Sequence, residues 1–269
     1  MRVDLVPDGL WERVAPLLPP APRRRHRHPG RLRVPDRAAL ADIVSVLRTG
    51  VAWRDVPAQA VGCSGVTAWR RLRGWTEAGV WPRLHTALLT ELRRADLLDL
   101  DACAVDGSHV RALKGGHHVG PSPVDRARPG SKHHVIVDRW GTPFAVTLTG
   151  GNGHDITQLL PLLDAIPPIR GLRGHPRHRP RRLYADRGYD FAKYRRLLWK
   201  RGIKPMIARR GHAHGSGLGK VRWVAERAFA WLRQFKRLRT RYEQRADLHQ
   251  GLLHLACGII CLRRLRKSL

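Results

Sequence analysis

The pattern of the chain changes at the stretch Ala102-Cys-Ala-Val-Asp-Gly-Ser-His-Val110, a short apolar segment that carries a single acid, Asp106. Its length and composition predict a β-strand, whereas the chain before it shows helical spacing of apolar residues. Two further apolar segments, 132–138 and 144–149, flank Trp140-Gly-Thr-Pro143 and predict a hairpin. We therefore expect strands to begin at about residue 100.

The segments after the hairpin alternate between helix and strand. We expect a helix at 156–166, a strand at 182–185, a helix at 191–201, a strand at 203–208, and closing helices at 220–242 and 247–266. This order predicts an α/β fold in which helices cover a mixed sheet, rather than a helical bundle or a β-sandwich.

The first part of the chain, residues 1–97, predicts a helical domain, followed by a mixed-sheet domain at 98–269. Its helices include one from Asp36 that stops at Gly50 and one capped by Ser64. A short helix, a turn with Gly62 and the basic helix after Ser64 are typical of a helix-turn-helix DNA reader, and an ordinary bundle with a basic face is the alternative. The basic stretch 23–33 predicts a flexible arm that contacts phosphate.

The chain is strongly basic. Its 51 Lys and Arg exceed its 21 Asp and Glu and give a formal net charge of +30. Such an excess attracts a polyanion and is hard to explain for an enzyme of small neutral substrates, so nucleic acid is the leading partner. The alternative is codon drift in a GC-rich genome, because Arg, Ala, Gly and Pro are plentiful while Lys is scarce.

The cellular location follows from what the sequence lacks. The first twenty residues do not have the order of a secretory signal, and the longest apolar run, 251–262, is shorter than a membrane span. We expect a soluble, cytoplasmic protein that is associated with the DNA of the cell and has no membrane partner. Four scattered cysteines suit a reducing compartment, and Cys257 and Cys261 are predicted as core thiols rather than metal ligands.

Three acids adjoin apolar segments rather than solvated helix faces: Asp106, Asp186 and Glu226. A carboxylate in an apolar strand is costly unless a cation compensates it. Hard oxygen ligands favour Mg²⁺ or Mn²⁺, and two such ions can promote an in-line phosphoryl displacement. Taken singly, each aspartate could cap a turn and Glu226 could pair with Arg222, one helical turn away.

Several motifs resemble those of bacterial insertion-sequence transposases of the DDE type, which carry a ribonuclease-H-like catalytic domain. In the second half they are Val105-Asp-Gly-Ser-His-Val-Arg-Ala112, Ser131-Lys-His-His-Val-Ile-Val-Asp138, Gly150-Gly-Asn-Gly-His-Asp155, Tyr184-Ala-Asp-Arg-Gly-Tyr-Asp190, Arg222-Trp-Val-Ala-Glu-Arg227 and Arg237-Leu-Arg-Thr-Arg-Tyr-Glu243. In the first half they are Gly50-Val-Ala-Trp-Arg-Asp-Val-Pro57 and Arg71-Leu-Arg-Gly-Trp75. The resemblance covers almost the whole chain.

This resemblance implies that Asp106, Asp186 and Glu226 form the acidic triad and hold two Mg²⁺ ions, with Mn²⁺ able to substitute. It implies binding of the element ends, metal-dependent hydrolysis that frees a 3′ hydroxyl, and strand transfer into target DNA. The family signature around the third acid has a tyrosine where this chain has Gly219, and its two basic places hold Arg222 and Arg233. The alternatives are a metal-dependent nuclease without strand transfer and a catalytically decayed DNA-binding protein.

Basic residues near these motifs are predicted to contact DNA. They are Arg70, Arg71, Arg73, Lys132, Arg187, Arg222 and Arg233. Four histidines in the same region could assist proton transfer or pair with phosphate, and in a chain with 15 histidines coincidence is the alternative: His109, His133, His134 and His154. Assembly on two DNA ends favours a homodimer, although no coiled-coil pattern is visible.

Overall fold

A computed structural model describes residues 5–23, 27, 31–58, 62–211 and 219–266, without the side chains of 219–222. Helices lead the chain: α1 (Asp8–Val14), α2 (Asp36–Thr49), α3 (Gly65–Glu77) and α4 (Val80–Arg94). Gly50 ends α2 in the left-handed region, with φ 75°, and the Ser64 side chain accepts a hydrogen bond from Thr67 N at 3.3 Å to cap α3. Both boundaries agree with the sequence prediction.

Two predictions for this region fall largely on residues outside the described ranges. They concern the basic arm at 23–33 and the short helix expected before Gly62. The helix-turn-helix interpretation therefore stays a prediction.

The strands are β1 (Ala102–Ala112), β2 (Gly120–Pro121), β3 (Pro129–Asp138), β4 (Pro143–Gly150), β5 (Arg182–Ala185), β6 (Lys204–Ile207) and β7 (Thr240–Arg241). The main sheet has the order β4–β3–β1–β5–β6. β4, β3 and β1 pair antiparallel, whereas β1, β5 and β6 pair parallel. The predicted mixed sheet and its hairpin are confirmed.

Four further helices cover the sheet within the described ranges: α5 (Leu159–Asp164), α6 (Ala192–Lys200), α7 (Gly219–Arg233) and α8 (Ala246–Arg266). α7 packs on β1 and β3, and α8 packs on β4 and on α3 and α4. Because α8 contacts both parts of the chain, the amino-terminal helices and the sheet share one apolar core. The domain boundary at residues 97 and 98 stays a prediction.

The predicted end of the helix at 220–242 was wrong, because α7 ends at Arg233. Phe235 is only 1% exposed, and Arg237 turns inward to bond Glu243, so the chain folds back rather than continuing the helix. Residues 240–241 then form β7 on β1. The two-residue strands β2 and β7 were not predicted, since segments so short carry no periodicity.

The last helix is apolar around most of its circumference, and Cys257 and Cys261 are fully buried in it. Both thiols are free, which confirms the prediction of core cysteines. Among the described helices, none combines the length and apolar character that a membrane crossing requires.

Candidate active site

The structure places Asp106 on one strand and Asp186 at the end of the adjacent strand. Asp106 lies within β1, and Asp186 directly follows β5. The two strands run parallel in a register that pairs Ala104 with Tyr184. Continuing that register by two residues on each chain segment would set Asp106 level with Asp186, and neighbouring strands lie about 4.8 Å apart. Two of the three predicted acids therefore lie just beyond the paired stretch of two adjacent parallel strands.

A backbone N–H orients each of these carboxylates. Asp106 Oδ1 accepts a hydrogen bond from Gly107 N at 2.8 Å, and Asp186 Oδ1 accepts one from Gly188 N at 2.7 Å. Asp186 thus caps the short turn that follows β5. This agrees with the alternative prediction that the residue caps a turn. That role is compatible with metal binding, because a carboxylate has several acceptor positions.

Glu226 lies on α7, the helix that covers β1. Its helical neighbours Ala225 and Ala228 are buried, whereas Glu226 itself is exposed. Arg233, two turns later on the same side of the helix, donates from Nη2 to Ser108 Oγ at 3.0 Å. Ser108 is two residues from Asp106, so both side chains point to the same face of β1. The side of α7 that carries Glu226 and Arg233 therefore contacts this face of β1 through Arg233.

The three acids do not form a closed metal site in this structure. Within the described ranges, no group of three His, Cys, Asp or Glu side chains is arranged to hold a metal ion. The chemistry of the donor set nonetheless fits a hard divalent cation, because all three candidates are carboxylates and two of them lie just beyond the paired stretch of adjacent strands. The convergence of Glu226 with the other two stays a prediction.

Two family models match the chain. Residues 98–261 match the transposase DDE domain, and residues 6–85 match a putative transposase of the IS4/5 family. The first match alone spans more than half of the chain. The protein belongs to the DDE transposases of insertion sequences. Membership implies the use of a divalent metal ion.

Relatives of this transposase occur in Burkholderia cepacia. A putative transposase for insertion sequence element IS402 is 63% identical over 149 residues, which are 55% of this chain and 71% of the relative. An uncharacterized 16.2 kDa protein of insertion element IS402 is 52% identical over 124 residues, 46% of this chain and 84% of the relative. Among solved structures, a pre-cleavage Mos1 transpososome matches with a TM-score of 0.27 and 13% identity over 90% of this chain and 81% of that chain. A TM-score that low does not establish a shared fold.

Asp155 is an acid near the transposase's aspartate pair that sequence reasoning gave no role. A Cβ atom on Gly107 would lie 3.0 Å from Asp155 Oδ1. The Asp155 carboxylate therefore lies against Gly107, the residue that follows Asp106. The same oxygen accepts a hydrogen bond from Lys132 Nζ at 3.0 Å and lies 3.8 Å from His134 Nδ1. The signal was available, because Asp155 ends the motif Gly150-Gly-Asn-Gly-His-Asp155.

Lys132 was predicted to contact DNA, and the structure argues against this. The residue is 6% exposed, and its Nζ donates to Gly153 O at 2.8 Å as well as to Asp155. A buried ammonium that is paired in this way does not reach a phosphate on the surface. We infer instead that Lys132 stabilises β1 and the loop after β4.

The predicted DNA-contacting arginines of α3 differ in exposure. Arg70 and Arg73 are exposed, and the Arg73 guanidinium lies 5.4 Å from the Trp69 ring centroid. Arg71 is half-buried and pairs with Asp36 at 3.1 Å, which ties α3 to α2. Arg70 and Arg73 are therefore the better placed of the three for a phosphate contact.

The remaining predicted arginines lie close to the acids. Arg187 is half-buried in the turn after Asp186, and its carbonyl accepts a hydrogen bond from Arg210 Nε at 3.1 Å. Arg233 is exposed apart from its contact with Ser108. The Arg222 side chain lies outside the described part of the chain, so its predicted roles stay predictions.

The histidines near the motifs have structural partners. His133 Nε2 lies 2.8 Å from His249 Nε2 on α8, and His134 Nε2 lies 2.8 Å from Thr149 Oγ1. Burial lowers the pKa of both, to about 4 for His134, so both rings are neutral at pH 7. His109 contacts Ser122 Oγ at 3.2 Å. His154 packs edge-on against an aromatic ring, that of Phe191.

Proposed function

We propose that this transposase binds the ends of its insertion sequence, hydrolyses a phosphodiester there to free a 3′ hydroxyl, and joins that hydroxyl to target DNA. In this proposal Asp106, Asp186 and Glu226 hold two Mg²⁺ ions, for which Mn²⁺ can substitute. The observation that supports the proposal is the parallel pairing of β1 with β5, which ends two residues before Asp106 and Asp186.

Asp106 and Asp186 provide oriented oxygen donors. The N–H groups of Gly107 and Gly188 hold one oxygen of each carboxylate, so little side-chain freedom is lost when a cation binds. Divalent cations at this place would activate the attacking oxygen and stabilise the leaving one. The protein's own contribution is to fix the donors on two rigid strands.

In this proposal Glu226 completes the site by a change of rotamer. Among the described residues it has no hydrogen bond or ion pair, and a glutamate on an exposed helical surface has several accessible rotamers. The Arg233–Ser108 contact fixes α7 over β1, so a rotamer change of Glu226 would direct its carboxylate toward the Asp106 face. We propose that cations and DNA favour that rotamer.

Positive charge supplies the attraction for DNA. The net charge of +30 favours binding to the polyanion, and Arg70, Arg73 and Arg233 present exposed guanidinium groups to phosphate. Two ends must meet for insertion, so we propose a homodimer on paired ends. Mass measured by light scattering should rise to that of two chains when end DNA is added.

The test incubates the purified chain with DNA that carries the element ends, with Mg²⁺, and sequences the products. We expect cleaved ends and joined target junctions, both abolished by a chelator. Asp186→Asn and Glu226→Gln should each slow cleavage by more than about a hundredfold, because even second-shell changes around metals cost about 10–100-fold. The matched control is Asp164→Asn, an exposed acid on α5 that pairs with Arg201.

Normal cleavage by Asp186→Asn would refute the proposed site. Cleavage without any joined product would support a nuclease in place of a transposase reaction. Equal losses in Asp164→Asn would show that the assay reports a general effect of charge removal rather than metal binding.

A further inference from the structure

A cleft of about 490 Å³ lies beside α7, on the side of the helix that carries Arg227 and Trp231. Arg227 is the residue that follows Glu226. Two indole rings and four guanidinium groups form most of its wall: Trp140, Trp231, Arg227, Arg263, Arg264 and Arg266. None of the described residues that line it is acidic. The cleft is therefore both aromatic and strongly cationic.

The turn between β3 and β4 forms one rigid side of this cleft. A Cβ atom on Gly141 would lie 3.1 Å from Val224 O and 3.2 Å from Arg227 Nε, and Gly141 has φ 82°. Close approach and a left-handed backbone both require glycine here. The turn thereby holds Trp140 at a fixed place next to α7.

Indole rings stack against two of the arginine heads. The Arg227 guanidinium carbon lies 4.3 Å from the Trp223 ring centroid and 5.2 Å from that of Trp231, and the Arg264 carbon lies 4.6 Å from that of Trp140. Arg227 Nε is buried without a hydrogen-bond partner among the described residues. A guanidinium stacked on a ring keeps its edge N–H groups available to an anion.

A ligand for this cleft must combine an anion with a flat ring. The volume falls in the usual range for small-molecule sites, about 300–1,000 Å³, and suits a nucleotide. Duplex DNA presents only phosphates to such a concave wall, because its bases are stacked inside the helix. An unpaired strand presents both groups, and stacking of bases on aromatic side chains is the common mode of single-strand binding.

We propose that this cleft binds an unpaired nucleotide of a DNA strand, with the base against the indoles and the phosphate at the arginines. Cleavage of DNA ends exposes unpaired nucleotides, so the biological role of the cleft rests on the proposed function. The binding itself needs no metal and no reaction. Its place beside α7 would keep a cleaved strand next to the helix that carries Glu226.

The experiment measures fluorescence anisotropy of a short labelled oligodeoxythymidylate, and separately of a duplex, with the full chain in a chelator. Trp140→Ala should weaken single-strand binding about tenfold, since a base–aromatic contact contributes about 1–3 kcal/mol. Duplex binding should change little. Arg227→Gln should reduce the slope of log affinity against log salt by about 0.7 for the single strand.

The controls are Trp199→Ala and Arg196→Gln, two exposed residues on α6 that do not line the cleft. Circular dichroism and melting confirm that all four variants are folded. If the cleft variants bind the oligonucleotide as their controls do, the proposal is overturned. It is likewise overturned if single strand and duplex lose affinity equally, because the indoles would then have no role in base binding.

If Asp106, Asp186 and Glu226 do not bind metal, these results would not change, because DNA binding is measured in the absence of metal. Conversely, a chain that cleaves and joins DNA normally but shows no cleft-dependent single-strand binding would retain the proposed function and lose this inference. The two claims are thus tested independently.

Discussion

Arg233 on α7 donates a hydrogen bond from Nη2 to Ser108 Oγ on β1, at 3.0 Å. This contact joins the helix that carries Glu226 to the strand that carries Asp106. Because the contact is exposed, its contribution to stability is small. We propose that it helps to position Glu226 relative to Asp106.

Separate variants distinguish the positional role of this contact from its charge. Arg233→Ala should weaken duplex binding and lower the salt slope by about 0.9, since one phosphate contact is lost. Ser108→Ala keeps the charge, so it should slow cleavage several-fold while leaving the affinity and the salt slope unchanged. Equal behaviour of the two variants in both assays would contradict the positional role.

The buried pair Arg237–Glu243 should be important for stability. Arg237 donates from Nε and Nη2 to Glu243 Oε1 at 2.9 and 2.7 Å. Burial acts to raise the pKa of Glu243, but the His249 ring and the Arg237 guanidinium outweigh it and lower that pKa to about 2. Glu243→Gln leaves a buried cation unpaired and should cost about 3–5 kcal/mol in urea unfolding.

The control for that variant is Glu77→Gln, which breaks the exposed pair with Arg245. Exposed pairs contribute about 0–1 kcal/mol, so this change should be hardly measurable. A loss for Glu243→Gln no larger than the loss for Glu77→Gln would show that the buried network does not stabilise the fold.

Asp42 on α2 should destabilise the chain at neutral pH. It is fully buried, and neither carboxylate oxygen has a hydrogen-bond partner among the described residues. Burial raises its pKa to about 6, against a smaller opposing effect of the Cys63 thiol. The folded state therefore favours the protonated acid, and this stability is lost as the pH rises through 6.

Asp42→Asn should accordingly raise the unfolding free energy at pH 7, by on the order of 1 kcal/mol or more. The gain should vanish below about pH 4, where the acid is protonated in both states. Urea unfolding at the two pH values measures this difference. A gain that does not depend on pH would assign the effect to packing instead of charge.

Buried histidines should make the fold sensitive to acid. Burial lowers the pKa of His85 to about 4, and burial together with the nearby His85 charge lowers that of His254 to about 3. The unfolded chain binds their protons below about pH 6.5, whereas the folded chain does not. Stability should therefore fall between pH 6.5 and 4, by up to about 1.4 kcal/mol per pH unit for each ring.

His254→Leu removes one of these titrating rings and should flatten the fall of unfolding free energy in that window. His175→Leu is the control, since this histidine is exposed. An unchanged slope in His254→Leu would mean that the ring is protonated in the folded state.

The sequence predicted the architecture well where the spacing of apolar residues was regular and where helix-capping or turn residues marked the ends of elements. Gly50 and Ser64 set helix boundaries through local backbone preferences, and β5 was predicted residue by residue because it is short, apolar and bounded by polar residues. The end of α7 was beyond prediction. There the inward turn of Arg237 depends on Glu243 and on the carbonyl of Val51, and the latter contact joins residues far apart in the chain.

The candidate site was predictable only in part, for the same physical reason. Asp106 lies on β1 and Asp186 follows β5, and the pairing of these two strands is something that apolar patterns can suggest. The burial of Lys132 against Asp155 depends on how the loop after β4 folds back, and a basic residue in a motif gives no sign of it. Charge alone therefore does not reveal that this side chain is turned inward.

The convergence of Asp106, Asp186 and Glu226 is tested most directly by a crystal structure of the chain with end DNA and Mn²⁺, using anomalous scattering to locate the cations. We predict anomalous peaks about 2.1 Å from oxygens of Asp106 and Asp186, with Glu226 rotated toward the sheet to ligate one of them. Peaks ligated by other side chains, with Glu226 still directed to solvent, would contradict the account.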